Sequence, residues 1–553
     1  DYDFQRTLPH KFSQSGPGMS VGDANGDGLE DLVIGGSALY PTTVFLQNRN
    51  GEFSRHDHLF PDQKKMEEDQ GLLLFDADND NDLDLYIVSG SMEYQESAAQ
   101  YQDRLYLNNG SGKFQLAEGA LPRLTASGSC VRSADFDGDG DLDLFVGGRV
   151  VPMKYPFPPE SYLLRNDNGT FTNVTAAVSP QLANVGMVTD ALWSDIDNDG
   201  RVDLLVAGEF MAITVFRNAG NSLTKVDDSG LENFRGWWNS IAGADFDHDG
   251  DTDYAVGNYG LNNGYCSTPE YPLEIYARDF DNNGSVDAIL ACYLKESLDN
   301  TKEKKLFPVH FWDDLISQSP KFRQRFSTYS QYGSTTMAEL LEAEDSAGML
   351  KLDANFMASA YLENMGDFTF RVSALPTLAQ VAPVNGMLAE DINNDGNADL
   401  LLIGNDFGNE VFVGKMDAMT GLVLLGDGAG NFREVQTSSS GFKVTGDAKG
   451  LVKLIAGNGQ VLYLASQNKD SLRVFAPVAN DNTQWYSPAA ADAWAELVHE
   501  NGNREKVEFR YGGGYLSQST RRLRIPAGVK QVVVHDTQGN SRTLDTSALS
   551  SKH

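Results

Sequence analysis

Apolar residues along the chain come in short runs that stop at glycine: Asp31-Leu-Val-Ile-Gly, Asp143-Leu-Phe-Val-Gly, Asp203-Leu-Leu-Val-Ala-Gly. Short β-branched and apolar runs of this kind predict strands, not helices. Each is preceded by one polar pattern, D-x-[DN]-x-[DN]-G-x-x-D, which occurs seven times. The first three copies are Asp23-Ala-Asn25-Gly-Asp27-Gly-Leu29-Glu-Asp31, Asp76-Ala-Asp78-Asn-Asp80-Asn81-Asp82-Leu-Asp84 and Asp135-Phe-Asp137-Gly-Asp139-Gly-Asp141-Leu-Asp143. Two more are Asp195-Ile-Asp197-Asn-Asp199-Gly-Arg201-Val-Asp203 and Asp245-Phe-Asp247-His-Asp249-Gly-Asp251-Thr-Asp253. The last two are Asp279-Phe-Asp281-Asn-Asn283-Gly-Ser285-Val-Asp287 and Asp391-Ile-Asn393-Asn-Asp395-Gly-Asn397-Ala-Asp399.

Positions 1, 3 and 5 of the pattern set short oxygen-bearing side chains on one side of a tight loop. Position 6 is glycine or, once, Asn81, the residues that best tolerate a left-handed backbone. That turn aims the carbonyl of position 7 (Leu29, Asp82, Asp141, Arg201, Asp251, Ser285, Asn397) inward, and position 9 returns a carboxylate. The predicted result is an all-oxygen cage for a hard cation, Ca²⁺ rather than Mg²⁺, which prefers strict octahedra and keeps several waters. An EF-hand would need a bidentate glutamate at position 12. Here that position is Ile34, Ile87, Val146, Val206, Val256, Leu290 and Leu402, so the loop sits in a strand–loop–strand hairpin instead. About six or seven Ca²⁺ per chain are expected, in a structural role.

A second signal follows most loops: Val44…Asn48…Gly51-Glu-Phe53, Leu105…Asn108…Gly112-Lys-Phe114, Tyr162…Asn166…Gly169-Thr-Phe171, Tyr361…Asn364…Gly366-Asp-Phe368 and Val423…Gly426…Gly430-Asn-Phe432. Each reads as a hairpin with an Asn/Gly turn. A unit is then strand, cation loop, strand, strand, turn, strand, which is a propeller blade. The expected fold is all-β, a seven-bladed β-propeller over 1–477 with eight blades as the alternative, followed by a small β domain over 478–553. The loops at 245 and 279 stand too close for two blades, so the second is read as an extra site inside one enlarged blade. Helical signals in Asp313-Asp-Leu-Ile-Ser-Gln and Thr336-Met-Ala-Glu-Leu-Leu-Glu place a helical insertion at about 305–355. The stretch from Gly446 to Ser466 has blade-like strands and no cation loop.

Composition narrows the function. With 43 basic and 78 acidic residues the net charge is −35, which excludes nucleic acid and anionic membrane surfaces as partners. No apolar run reaches the roughly 18 residues of a membrane span. The opening Asp1-Tyr-Asp-Phe has neither a basic nor an apolar leader region, as a mature or truncated chain would also lack them. Cys130, Cys266 and Cys292 form no disulfide framework; pairing of Cys266 with Cys292 is left open. Gly18-Met-Ser20-Val-Gly22 matches a nucleophile elbow by letters only, because a cation loop follows where a helix is needed. His56 and His58 lack further ligand candidates, and no catalytic set is expected. Trp237 and Trp238 are adjacent, so one could pack the core while the other meets a ligand.

These repeats resemble the FG-GAP/VCBS repeats of integrin-α-type β-propellers, which implies Ca²⁺ at each loop. Val507-Glu-Phe-Arg-Tyr-Gly-Gly-Gly-Tyr515-Leu-Ser-Gln-Ser519 resembles the start of an ASPIC/UnbV domain, a pairing typical of the cartilage-acidic-protein-like family. Asp190-Ala-Leu-Trp193, Gly236-Trp-Trp-Asn239 and Gly257-Asn-Tyr-Gly-Leu-Asn262 resemble the Bacteroidota surface proteins of that group. The resemblance implies a non-catalytic, calcium-stabilised surface protein that binds a protein or glycan, on the extracellular face of the outer membrane or secreted. An accessory role in an outer-membrane nutrient-uptake complex is one form of this. A polysaccharide lyase or hydrolase and a structural adhesin are the alternatives.

Overall fold

The computed structural model describes residues 1–56, 65–295, 303–478, 484–500, 502–526 and 528–545; His58 lies outside them. Seven antiparallel sheets follow one another along the chain, six of four or more strands and a last one of three. Their first strands are Met19–Gly22, Glu68–Phe75, Ser127–Ala134, Met187–Ser194, Ser240–Ala244, Val384–Glu390 and Ala448–Ile455. Each of these contacts the first strand of the sheet before and after it, and the last contacts the first, so the strands line a common axis in a closed cycle.

Burial explains the strand sequences. In blade 3 the two inner strands, Ser127–Ala134 and Asp143–Val150, are buried along their whole length. The third, Tyr162–Asp167, begins to alternate, and the outermost, Thr170–Asn173, is mostly exposed. Continuous apolar runs therefore mark inner strands covered on both faces, and alternation marks the rim. Hydrophobic cores lie between successive sheets. Leu73, Tyr86 and Val88 of blade 2 meet Val131, Leu144 and Val146 of blade 3. Met19, Val21 and Leu32 of blade 1 meet Val452, Leu454 and Leu464 of blade 7, which closes the ring. Near the axis the approach is tight: a Cβ on Gly71 would lie 2.6 Å from the Ser129 carbonyl oxygen.

The loop at 279 departs from the sequence expectation. It belongs to a separate four-stranded sheet, Leu273–Arg278, Asp287–Lys295, Lys304–Pro308 and Leu350–Ala354, inserted between the second and third strands of blade 5, Asp253–Gly257 and Ala360–Asn364. The insertion thus supplies its own sheet instead of enlarging the blade. Helices Trp312–Gln318, Tyr329–Gly333 and Met337–Leu340 follow in the same insertion. Leu315, Ile316, Phe322 and Leu340 cover Phe280 and Ile289 of that sheet.

Past the ring, Asp492–His499 pairs with Arg504–Glu508 and Val529–Asp536, around a core that includes Ala495, Leu497, Val532 and Val534. Residues 509–522 leave this sheet and enter the propeller axis. There the Gln518 side chain bonds the amide and the carbonyl of Leu74, at 2.6 and 2.9 Å, and accepts from Ser20 Oγ at 2.6 Å. Ser517 Oγ accepts from the Met19 amide, Ser519 Oγ from the Lys453 amide, and the Tyr511 carbonyl from the Ser133 amide. One C-terminal arm therefore stitches blades 1, 2, 3 and 7. Ser20 is buried under it, at a strand position rather than an elbow.

Candidate metal centres

Six of the cation loops join the innermost strand of a blade to the second, and the loop at 279 joins the two central strands of the inserted sheet. Their conformation is written by side-chain-to-backbone bonds. In loop 23, Asp23 Oδ1 accepts from the amides of Gly26 and Asp27, and its Oδ2 from Gly28. In all seven loops the position 5 side chain accepts from the amide of position 7: Asp27 from Leu29, Asp80 from Asp82, Asp139 from Asp141, Asp199 from Arg201, Asp249 from Asp251, Asn283 from Ser285 and Asp395 from Asn397. Position 6 is left-handed throughout, as expected. Position 4 is left-handed too, with φ of +60° at Asn79, +56° at Asn198 and +64° at His248. The nine-residue pattern leaves position 4 unspecified, and only its Gly/Asn bias signals this second left-handed residue.

Among the described residues, three carboxylates converge within 4.8 Å in five loops: Asp76, Asp78 and Asp84; Asp135, Asp137 and Asp143; Asp195, Asp197 and Asp199; Asp245, Asp247 and Asp249; Asp279, Asp281 and Asp287. The loops at 23 and 391, each with asparagine at position 3, gather no such trio. In the latter, Asn393 Nδ2 donates to Asp395 Oδ2 at 2.8 Å, so two expected ligands bond each other.

The residues present fit a cation. Asp76 Oδ1, Asp78 Oδ1, Asp137 Oδ1, Asp195 Oδ1 and Asp251 Oδ1 are buried carboxylate oxygens with no hydrogen-bond partner. Such orphans are costly unless a donor or ion meets them. Burial pushes the position 9 carboxyls up, to about 7 for Asp31, Asp84 and Asp253, about 8 for Asp143 and Asp203, and about 6 for Asp287 and Asp399. A bound divalent ion reverses that by favouring the charged form. Loop 195 is distinguished by protein cations: Arg217 lies 3.2 Å from Asp197, Arg201 3.6 Å from Asp199, and Lys506 3.8 Å from Asp195.

In the six blade loops position 9 also ties the loop to its blade. Asp143 accepts from the amides of Phe136 and Asn166, at 3.2 and 2.8 Å, and Asp84 from Ala77 and Asn108, at 2.9 and 2.8 Å. The asparagine then reaches the preceding blade. Asn108 Nδ2 donates to the Ala24 carbonyl, Asn166 to Ala77, Asn218 to Phe136 and Asn364 to Ile196, each at 2.8–2.9 Å and each at position 2 of the neighbouring cation loop. Gln47 does this for blade 7, donating to the Ile455 carbonyl. In blade 6 the position is Gly426, where a Cβ would lie 2.2 Å from the Ala398 carbonyl oxygen. The hairpin asparagines are thus staples between loops as well as turn residues.

The C-terminal domain grips the same loops. Lys506 Nζ donates to the Asp195 carbonyl at 3.1 Å and to Asn198 Oδ1 at 2.5 Å. Glu508 accepts from the Asp195 amide, Arg522 donates to the Gly28 carbonyl, and Arg524 to the Asp391 carbonyl. Arg522 and Arg524 thus serve the propeller itself.

At the other end of the axis His10, Arg149 and Tyr155 converge on buried Glu209. His10, Arg149 and Glu209, with Lys449, Asp406 and Tyr515, border a cavity of only about 30 Å³. Trp237 also borders it, stacked on Tyr259 at 4.6 Å, while Trp238 packs into the blade 4–blade 5 core and donates to the Met211 carbonyl. Both indoles are buried, at 2% and 0% exposure, so neither presents an open face to a ligand. The three cysteines are free thiols, Cys130 and Cys292 buried and Cys266 exposed.

Residues 23–87, 76–146 and 195–256 match the FG-GAP-like repeat family. The protein is therefore a β-propeller that carries FG-GAP-like repeats. A comparison with curated protein sequences gave no significant match. Among solved structures, the Dos1 propeller aligns at 10% identity over 85% of this chain and 96% of its own, with a TM-score of 0.36. The rhamnogalacturonan lyase YesW aligns at 12% identity over 84% of this chain and 90% of its own, with a TM-score of 0.28.

Proposed function

We propose that this protein is a non-catalytic, calcium-stabilised binding protein that works outside the cytosol. The observation that carries the reading is the set of orphaned buried carboxylate oxygens in loops that are stapled blade to blade. An ion there stabilises the fold by binding the native state alone. Weak structural sites of this type fill at roughly 10⁻⁴–10⁻³ M Ca²⁺, which only an extracellular setting supplies. At the end of the axis where His10 and Arg149 meet Glu209, the polar groups border only about 30 Å³, room for a water or two and not for a sugar ring.

The partner is a protein or glycan at the cell surface, and the ASPIC/UnbV-like arm and Bacteroidota resemblance suggest an accessory subunit of an outer-membrane uptake complex. Purification of the full chain from its native membranes in Ca²⁺ tests this. A stoichiometric outer-membrane companion is expected. Release of reducing or unsaturated ends from a panel of polysaccharides would instead make it an enzyme.

A further inference from the structure

On the loop side of the axis, between the C-terminal arm and the inner strands of blades 5 and 6, lies a cavity of about 250 Å³. Its volume is just below the roughly 300–1,000 Å³ of sites for drug-sized ligands, which suits one ring or a short acyclic molecule. Leu192, Ile241 and Met387 form an apolar wall, and the arm's Gly512–Gly514 segment forms another. A Cβ on Gly513 would meet nothing within 4 Å, so the backbone there faces open space.

The charges in this cavity are not closed among themselves. Arg521 makes no ion pair among the described residues, although its guanidinium lies 3.7 Å over the Tyr511 ring. Its Nη2 reaches only the carbonyls of Asp492 and Phe509, at 3.3 and 3.4 Å, and its Nε is buried without a partner. Asp492, the carboxylate whose charge reaches it, is taken up by two bonds from Arg542. Arg510 pairs with Glu508 through Nη2 and donates to the Gly243 carbonyl through Nη1, at 2.9 Å, which leaves its Nε as a second buried donor without a partner. Glu390 presents the opposite need: Lys453 neutralises it at 3.1 Å, yet its Oε1 is buried and unbonded. The Arg521 guanidinium, which no carboxylate among the described residues balances, calls for an anion, and Arg510 Nε, whose charge Glu508 already balances, for a further acceptor oxygen. A carboxylate whose charge is already balanced calls for a neutral donor, a hydroxyl rather than an ammonium.

Resting on the binding-protein reading above, we propose that this cavity is a binding site for a small hydroxylated carboxylate of sugar-acid size, its carboxylate on Arg521 and Arg510 and a hydroxyl on Glu390. The test is calorimetric titration of the full, Ca²⁺-loaded chain with D-glucuronate and D-galacturonate, with glucose, galactose and acetate as controls. One-to-one binding of a uronate, at least tenfold tighter than its neutral sugar and than acetate, is expected. Arg521→Gln should weaken it at least tenfold. Gly513→Leu fills the space without meeting a neighbour and should abolish it with no change in melting temperature. Absence of uronate binding at about 10 mM, equal binding of the neutral sugars, or wild-type binding by both variants overturns the proposal. The Ca²⁺-dependence of the melt, recorded on the same samples, reports separately on the metal-stabilised propeller.

Discussion

Replacement of Asn166 by alanine tests whether the blades are held together at their cation loops. The side chain is 1% exposed and makes three bonds: Nδ2 to the Ala77 carbonyl at 2.8 Å, Nδ2 to the Leu142 carbonyl at 3.2 Å, and Oδ1 from the Gly169 amide at 2.9 Å. Each bond contributes about 1 kcal/mol net, and a buried group left unpaired costs about 1–3 kcal/mol. About 3 kcal/mol is therefore expected. At about 2.1 cal/mol/K per residue, a chain of 553 residues gives an unfolding entropy near 1.2 kcal/mol/K and so a drop in melting temperature of about 3 °C. Calorimetry in saturating Ca²⁺ measures it, with Thr170→Ala on the exposed outer strand as the control. Because the staple ends on loop 76 and its amide sits on Asp143, Ca²⁺ affinity should also fall at loops 76 and 135. A shift no larger than the control's would refute the staple.

Three further outcomes are expected. After EDTA treatment the protein should melt highest near pH 5 and lowest near pH 8: position 9 carboxyls raised to about 6–8 hold protons that the unfolded chain releases near 4, so stability falls as pH rises through that window. Ca²⁺ competes with those protons, so its stabilisation should grow with pH; an EDTA-treated protein more stable at pH 8 than at pH 5 would contradict the assignment. Trp238→Ala should cost about 3–5 kcal/mol in denaturant titration, as a fully buried indole does, while leaving uronate titrations unchanged. Lys506→Met strips a buried cation from Asp195 and Glu508, at 3.8 and 3.5 Å, and should cost about 3–5 kcal/mol. Hydrogen exchange should then quicken in Arg504–Glu508 and Asp492–His499, with blade 2 still protected.

The sequence was most readable where chemistry is local. Apolar residues at position 12, such as Val146 and Val206, already put the loop in a strand hairpin, because a loop ligand and a buried strand residue cannot share one position. The loop spacing carried the propeller in the same way. Contacts between distant segments were not readable. Nothing in Gln518 or Ser519 announces that the arm crosses the axis, because its partners Ser20, Leu74 and Lys453 lie in three separate blades. Asn166 was legible as a turn residue and not as a staple, since its partner Ala77 contributes only a carbonyl, which every residue has. The loop at 279 looked like the others, and only pairing of Leu273–Arg278 with Leu350–Ala354 shows that it belongs to an inserted sheet. Trp237 and Trp238 do point to opposite sides of their strand, but a core waits on both.

The central claim is that ions hold the loops, and through them the blades. A thermal melt with and without excess EDTA, with bound metal counted on the same sample, tests it most directly. At least five Ca²⁺ per chain are expected, one for each carboxylate trio, and a melting temperature lower by more than about 10 °C once they are removed. No bound metal and an unchanged melt would contradict it and leave the loops as turns.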